Sequence, residues 1–255
     1  MGWSINNNTN RMQMVTSIGQ LYEVLGNSMA RLSSGLRINS AADDPAGLVI
    51  SEQLRSQIAS LNQELENTNA LIHYYETAES FALGIRQKLA EMRELAVGAA
   101  NEGVNSAEMQ EAYNAAAEHL VEEINRVAEN AEYNGSRLFD GSEGSVGEIS
   151  TLEGIDLTSS EAAVESITLI DEALAEIDAL QVDLGATQAN ELESHRRTLQ
   201  IQVQNLTAAE SQLRDTDFVA EYSSMLGDQI RLQASISLLS HSFEAQETML
   251  KVLGS

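Results

Sequence analysis

Cysteine is absent from this 255-residue chain, which excludes disulfide bonds and thiolate metal sites. Proline occurs once, at position 45, so the composition permits long uninterrupted helices. Eleven aromatic residues are few for a thick globular core, and alanine, leucine, isoleucine and valine supply most of the apolar content. This composition favours helices packed side by side.

Long apolar runs are also missing. No segment approaches the roughly 18 consecutive apolar residues of a membrane-spanning helix, so we expect no membrane partner. No cleavable signal-peptide pattern precedes the first helical segment. If the protein leaves the cell, we therefore expect an export route that needs no such signal.

Negative charge is in large excess, with 39 acidic residues against 14 basic ones and a formal net charge of −25. Such a charge argues against nucleic acid and against an anionic membrane surface as partners. The excess lies in residues 41–214, which carry −23, whereas residues 1–40 carry +2 and residues 215–255 carry −4. We expect the middle of the chain to face water.

Both ends of the chain show the alternating three- and four-residue spacing of a coiled-coil seam. Neither terminal helix has a partner beside it in sequence, so we expect the two to pair with each other. Further apolar positions lie off these seams, which predicts burial between copies of the chain. The predicted self-assembly seams are Met14, Ile18, Leu21, Leu25 and Leu32 at one end, and Phe218, Tyr222, Met225, Leu232, Ile236, Leu239, Phe243, Leu250 and Leu253 at the other.

The middle of the chain is also predicted to be helical. One apolar seam runs from Leu54 to Ala99, within a helix that begins at Pro45 and is therefore about 80 Å long. Helical spacing continues over residues 113–131 and 163–213, with an interruption near Leu184-Gly185. The glycine-rich segment at about 135–160, with turn signals at Asn134-Gly135 and Asp140-Gly141, predicts a loop with a short β-hairpin.

A sharp break separates the first two helices. Gly35 can end the first helix, and Asn39-Ser40 suits an irregular connection. Asp44 is a good N-cap for the second helix, because the proline that follows favours an extended conformation there. Pro45 then occupies the first helical position, where its missing N–H costs nothing. The segment, hereafter the joint, includes Ser34, Gly35, Arg37, Asn39, Asp43, Asp44, Pro45 and Gly47.

These observations predict a mainly α fold of long antiparallel helices in a bundle or coiled coils, with a short β-hairpin or loop insertion. We expect an inner domain of paired terminal helices, residues 1–43 and 215–255, and a helical core domain at 44–214. No metal-binding, phosphate-binding or nucleophile motif occurs, so we expect neither a cofactor nor an enzymatic activity.

Residues 30–51, ARLSSGLRINSAADDPAGLVIS, resemble the N-terminal signature of bacterial flagellins, and SEQLRSQIASLNQ continues the resemblance. MRELAVGAAN, EINRVAENAEYNG, DLGATQANELE and NLTAAESQLRDTDFVAEYSSM are similar to further blocks of that family, in the same order. The resemblance covers nearly the whole chain except about residues 137–165. It implies a subunit that assembles with copies of itself into the extracellular filament of the bacterial flagellum, without the variable outer domains of many flagellins.

The resemblance also implies partners. Export would proceed unfolded through the flagellar secretion apparatus, and an assembly chaperone would shield the C-terminal segment. The filament cap and the hook-associated proteins would be neighbours in the assembled organelle. The C-terminal SHSFEAQETMLKVLGS departs from the usual Gln- and Ala-rich ending.

Many flagellins are recognised by an innate immune receptor through the region that corresponds to MRELAV here. Leu95 and Glu123 match positions that contribute to recognition, but Glu91 stands where recognised flagellins carry arginine. A reversed charge in a buried contact costs several kcal/mol, so we expect weak or absent receptor activation.

Two other functions fit parts of the pattern. A hook–filament junction protein shares the design of paired terminal helices and would differ in the number of copies per organelle. A coiled-coil signalling module similar to a chemoreceptor cytoplasmic hairpin is also acidic and poor in proline. The signalling module would need a membrane anchor or a receptor partner, and its ends would be ordered in solution.

Overall fold

A computed structural model describes residues 9–101, 103, 105–142, 145–147, 149 and 152–253 of the chain; at 249, 250, 252 and 253 it describes the backbone alone. The elements in chain order are α1 (Thr9–Ser34), α2 (Pro45–Ala99), α3 (Ala107–Asn130), β1 (Glu132–Tyr133), β2 (Ser136–Arg137), α4 (Ser160–Ala186), a π-helix (Thr187–Leu192), α5 (Glu193–Arg214) and α6 (Phe218–Leu253). The fold is mainly helical with one small antiparallel sheet in the described residues, as the sequence predicts.

The chain forms two compact units. One unit comprises residues 1–60 and 203–255, and the other comprises residues 61–202. The domain boundaries at 43/44 and 214/215 remain a prediction. We call the two observed parts the terminal unit and the middle unit.

The core of the middle unit follows a seven-residue spacing. In α2 the fully buried side chains alternate at three and four residues, as the seam in the sequence predicts: Ala78, Ala82, Ile85, Leu89, Met92, Ala96 and Ala99. In α4 the corresponding residues are Ala163, Ile170, Ile177 and Leu184. Small residues recur at these positions, which lets neighbouring helices approach closely, and branched or long residues fill the layers between them.

An Asn-Gly turn joins the two short strands. Asn134 and Gly135 both have positive φ, at 52° and 81°, which is the type I′ geometry that matches strand twist. Glu132 pairs with Arg137, and Tyr133 pairs with Ser136. The hairpin therefore lies at 132–137, at the N-terminal edge of the predicted loop region, and Leu138 and Phe139 after it are buried.

Side chains of α3 and α4 hold the irregular segment at residues 152–157. Asn125 holds Leu152 at both backbone groups, by accepting from its N–H at 3.2 Å and donating to its carbonyl at 3.4 Å. Asn114 accepts from the Leu157 N–H at 3.0 Å. The Ser166 hydroxyl accepts from the N–H of Asp156 and donates to its carbonyl, both at 2.9 Å. These side chains replace the hydrogen bonds that a sheet partner would supply, which lets Leu152 and Leu157 be buried without a strand.

Candidate assembly interface

The joint begins where α1 ends. Gly35 has a φ of +73°, and its N–H donates to the carbonyl of Arg31 at 2.8 Å, which closes the last turn of the helix. A side chain is strained in this left-handed conformation, so glycine suits the position. The Ser34 hydroxyl accepts from the Leu36 N–H at 3.2 Å and helps turn the chain away from the helix axis.

Two distant parts of the chain meet at the joint. Leu36 forms an antiparallel bridge with Asp215. The Arg37 N–H donates to the Arg214 carbonyl at 2.6 Å, and the Thr216 N–H donates to the Gly35 carbonyl at 2.9 Å. The Arg37 guanidinium also donates to the carbonyl of Leu213 at 2.7 Å. Arg37 therefore caps the C-terminal end of α5 while its backbone ties the start of the joint to the end of that helix.

Asp43 organises the turn that follows. Its Oδ2 accepts hydrogen bonds from the Asn39 N–H at 3.2 Å, the Ser40 N–H at 2.9 Å and the Ser40 hydroxyl at 3.0 Å. The hydrogen bond from the Ser40 backbone N–H has the largest effect, followed by the one from its hydroxyl, and together they hold the pKa of the Asp43 carboxyl below its usual range. The turn is thus built around a carboxylate in its ionised form.

The second helix starts as the sequence predicts. Asp44 accepts from the Gly47 N–H at 2.9 Å, and Pro45 is the first residue of α2. Gly47 is buried, and a Cβ added there would lie 2.5 Å from Asp44 Oδ2 and 2.7 Å from Ile38 Cδ1. Ile38 is only 2% exposed. Close packing of Ile38 and the cap against the backbone therefore explains the glycine at position 47.

Sequence reasoning missed an ionic cluster beside the joint. The Arg214 guanidinium donates to Glu52 at 2.8 Å, and this hydrogen bond lowers the pKa of the Glu52 carboxyl. Arg55 contacts the same Glu52 oxygen at 3.2 Å. Arg31 lies 3.8 Å from Glu221. No local sequence pattern predicts the Arg214–Glu52 contact, because 162 positions separate the two residues.

Helices α1 and α6 pack against each other in antiparallel fashion. Arg11, near the start of α1, donates to Gln246 at 2.7 Å and stacks over the Phe243 ring at 3.8 Å, whereas Arg31, near its end, meets Glu221. The buried or half-buried positions of α1 include all five predicted seam residues together with Ser28: Met14, Ile18, Leu21, Leu25, Ser28 and Leu32. The corresponding stripe of α6 is Glu221, Met225, Asp228, Leu232, Ser235, Leu239, Ser242 and Gln246.

The predicted α6 residues divide between two faces. Met225, Leu232 and Leu239 lie on the stripe that packs in the terminal unit. Four others are exposed, at 57% for Phe218, 46% for Tyr222, 44% for Ile236 and 49% for Phe243. Leu250 and Leu253 lie in the α6 backbone, but their side chains are outside the described residues. At the alternate positions of the packed stripe stand Asp228, Ser235 and Ser242 instead of large apolar residues.

The outer surface of the α1–α6 pair is strongly apolar. Thirteen large apolar side chains on these two helices are at least 40% exposed: Met12, Val15, Tyr22, Val24, Met29, Phe218, Val219, Tyr222, Leu226, Ile230, Ile236, Leu238 and Phe243. Such a surface exceeds the scattered apolar residues of an ordinary soluble protein and marks a binding face. We call this set of residues the outer terminal face.

Residues of the predicted immune-receptor region lie in the middle unit. Glu91 is exposed, and Leu95 is half-buried against the core. Glu123 binds Lys88 at 2.8 Å, and this hydrogen bond lowers the pKa of the Glu123 carboxyl. Glu123 is thus already engaged by a cation of the same chain.

Neither a membrane span nor a metal site occurs in the described part of the chain. None of its helices is long and apolar enough to cross a membrane. Its His, Asp and Glu side chains form no group of three that could hold a metal ion.

Comparison with known proteins identifies similar chains along the whole length. The family model of the bacterial flagellin N-terminal helical region matches residues 5–144, and that of the bacterial flagellin C-terminal helical region matches residues 167–253. The flagellin of Halalkalibacterium halodurans is 34% identical, and the flagellar filament 33 kDa core protein of Treponema phagedenis is 31% identical. The flagellin of Bacillus subtilis is 28% identical. Each alignment covers 98% of this chain and 99% of the relative.

Proposed function

Since this chain belongs to the bacterial flagellin family, and is therefore a structural subunit of the flagellar filament, we propose that its outer terminal face is the surface through which copies polymerise. The protein localises to the flagellum and works by self-assembly rather than by catalysis. What remains to be assigned is the surface of this chain that holds the copies together.

The observation that carries the proposal is the distribution of apolar residues on α6. Its packed stripe contains Asp228, Ser235 and Ser242, whereas Tyr222, Ile236 and Phe243 are exposed. Burial of one large apolar side chain contributes about 1.5–3 kcal/mol. The α1–α6 pair therefore leaves much of its available apolar free energy unused within one subunit, and contact with other copies would recover it.

The low net charge of the two terminal segments also supports the outer terminal face as the contact surface. Residues 1–40 carry a net charge of +2 and residues 215–255 carry −4, against −23 for the remainder. Copies can approach through these segments with little mutual repulsion, whereas approach through the acidic middle is opposed. The terminal helices therefore suit the inner layers of a filament, and the acidic part suits its exterior.

A substitution at Ile236 tests the proposal. Ile236→Asn should leave the far-ultraviolet circular dichroism of the monomer unchanged, because the side chain is exposed in the subunit. It should raise the critical concentration for polymerisation about tenfold or more, because each 1.4 kcal/mol lost per contact is a factor of ten. Ser237→Asn, one position along the same helix, is the matched control. Sedimentation of filaments at the parent critical concentration for Ile236→Asn would contradict the proposal.

Further partners follow from the family. We propose that the flagellar secretion apparatus exports the chain unfolded, and that an assembly chaperone covers the exposed apolar side chains of α6 before polymerisation. The filament cap and hook-associated proteins would contact the same outer terminal face at the two ends of the filament. Leu238→Asn, exposed at 58%, should weaken co-purification with the chaperone, whereas Ser237→Asn should not.

A further inference from the structure

Methionine carries all the sulfur in this chain, because the sequence contains eight methionines and no cysteine. In the absence of a thiol, the thioether of methionine is the group that peroxide oxidises, and exposed side chains react before buried ones. The described methionine side chains differ widely in exposure. Met12, Met29 and Met109 are exposed, Met14 and Met225 are half-buried, and Met92 is fully buried in the core of the middle unit.

Two of the exposed methionines belong to the outer terminal face. Met12 is 72% exposed and Met29 is 58% exposed, both on α1. They lie at the two ends of a stripe whose positions alternate at three and four residues, and all of these positions are exposed in the subunit: Met12, Val15, Gly19, Tyr22, Gly26 and Met29. This stripe is separate from the one that packs against α6. Both sulfur atoms are therefore accessible in the subunit and belong to the surface that we assign to polymerisation.

Oxidation changes what these side chains contribute to a contact. The sulfur lone pair of methionine attacks one oxygen of hydrogen peroxide, so that an S–O bond forms and the O–O bond breaks. The proton on the transferred oxygen moves to the departing hydroxide, which leaves as water. The sulfur is oxidised by two electrons, and the peroxide is reduced by two. A flexible apolar side chain thereby becomes a polar one, which disrupts packing at a methionine-containing surface.

We propose that Met12 and Met29 form an oxidation site through which peroxide prevents the unassembled subunit from polymerising. The inference rests on the proposed function, because it requires that the outer terminal face is the contact between copies. Burial of the stripe in a polymer would then desolvate a sulfoxide at each end without a partner for its oxygen. The fold of the subunit is little affected, because both side chains are mostly exposed.

The modification is reversible. Methionine sulfoxide reductases return each sulfoxide to the thioether, with one enzyme for each sulfoxide epimer. Two thiols of the reductant form a disulfide in this step, and the sulfoxide oxygen leaves as water. Oxidation followed by reduction therefore distinguishes sulfoxide formation from irreversible damage to the chain.

Peroxide treatment of the full-length monomer tests the site. Peptide mass spectrometry reports conversion at each methionine, and sedimentation gives the critical concentration of each protein relative to its own untreated sample. Conversion at Met12 and Met29 should raise the critical concentration of the parent about tenfold or more, with unchanged far-ultraviolet circular dichroism. Treatment with both reductases and dithiothreitol should restore the untreated value. In filaments, conversion at these two positions should slow about tenfold or more.

Leucine variants identify the responsible sulfur atoms. Leucine is apolar and similar in volume to methionine but cannot form a sulfoxide. Peroxide should change the critical concentration of the double variant Met12→Leu, Met29→Leu by less than about twofold. Met109→Leu is the matched control, since Met109 is 43% exposed but lies on α3, and it should remain as sensitive to peroxide as the parent.

The outcomes separate this inference from the proposed function. Parent protein that carries both sulfoxides and polymerises at its untreated critical concentration would overturn the inference, and so would equal loss of assembly in the double variant. Loss that the reductases cannot reverse would also overturn it. Ile236→Asn tests the outer terminal face without any oxidant and with both methionines in place, so its result decides the proposed function independently of sulfur chemistry.

Discussion

The Gly47 N–H donates to Oδ1 of Asp44 at 2.9 Å, and Oδ2 of the same carboxylate lies where a side chain on residue 47 would begin. The N-cap residue Asp44 and the glycine that donates to it are therefore in close contact, with no space between them for a side chain. Any Cβ at position 47 must displace both the Asp44 carboxylate and the buried Ile38 side chain.

Gly47→Ala is expected to destabilise the protein by about 1–3 kcal/mol, through overpacking against Asp44 and Ile38. Gly84 lies in the same helix, and a Cβ added there would meet nothing within 4 Å, so Gly84→Ala should stabilise by about 0.5–1 kcal/mol. Urea unfolding of the two variants measures the difference. Equal effects of the two substitutions would show that the joint tolerates the added methyl group.

Acid should weaken the joint. The pKa of Asp43 is lower in the folded chain than its ordinary value, so its contribution to stability is present above about pH 4 and is lost as pH falls through the lower folded value. Asp43→Asn should reduce the melting temperature at neutral pH and flatten its decline between about pH 5 and pH 2. Glu122→Gln, an exposed control on α3, should retain the decline of the parent.

Salt should favour assembly. With a net charge of −25, copies repel one another, and raising the ionic strength from about 0.01 M to 1 M shortens the screening length from about 30 Å to 3 Å. The critical concentration should therefore fall with added salt. Replacing Glu111, Glu118 and Glu122 together by glutamine should weaken this dependence. A critical concentration that rises with salt would mean that attraction between opposite charges dominates the contacts.

Reversing the charge at Glu91 should strengthen recognition by the innate immune receptor. Glu91 is exposed, and the resemblance to flagellins implies arginine at this position in recognised family members, so Glu91→Arg should raise activation in a receptor-reporter assay about tenfold or more. Glu94→Arg, also exposed and three residues further along α2, controls for net charge. Full receptor activation by the parent protein would contradict the expectation that Glu91 weakens recognition.

One residue in the π-helix is expected to be dispensable. Apolar positions of α4 and α5 recur every seven residues except between Leu184 and Leu192, which are eight apart, and the π-helix at Thr187–Leu192 absorbs the extra residue. Deleting Ala189 should restore an unbroken α-helix and change the unfolding free energy by less than about 1 kcal/mol.

Deleting Ala90, an exposed residue in the regular part of α2, is the matched control. It should rotate one half of the α2 seam by about 100° relative to the other and prevent native packing. Circular dichroism and urea unfolding distinguish the two deletions. Similar damage from both would show that the π-helix has a required shape.

Sequence patterns predicted the α2 core because its buried residues keep one uninterrupted spacing from Ala78 to Ala99. They predicted the turn at Asn134-Gly135 because both residues tolerate positive φ. The segment around Leu152 was predicted only as loop, because Asn125, which holds it, lies 27 residues away. Side-chain hydrogen bonds over such distances leave no periodic signal.

On α6, apolar periodicity alone did not identify the stripe that packs against α1. Two adjacent stripes on this helix share Met225, Leu232 and Leu239, and both alternate at four and three residues. Apolar periodicity favours the stripe with Ile236, whereas packing with α1 in the subunit uses the stripe with Asp228. Hydrophobic periodicity identifies the apolar faces of a helix and does not tell which of them packs within the subunit.

The bridge between Leu36 and Asp215 has a mechanical consequence. The crossing lies at the base of both terminal helices, since α1 ends at Ser34 and α6 begins at Phe218. A pulling force along either terminal helix therefore acts on the same two backbone hydrogen bonds, from the Arg37 N–H to the Arg214 carbonyl and from the Thr216 N–H to the Gly35 carbonyl. The crossing closes residues 36–215 into a loop, so a force on the end of either terminal helix does not extend the middle of the chain until these hydrogen bonds break.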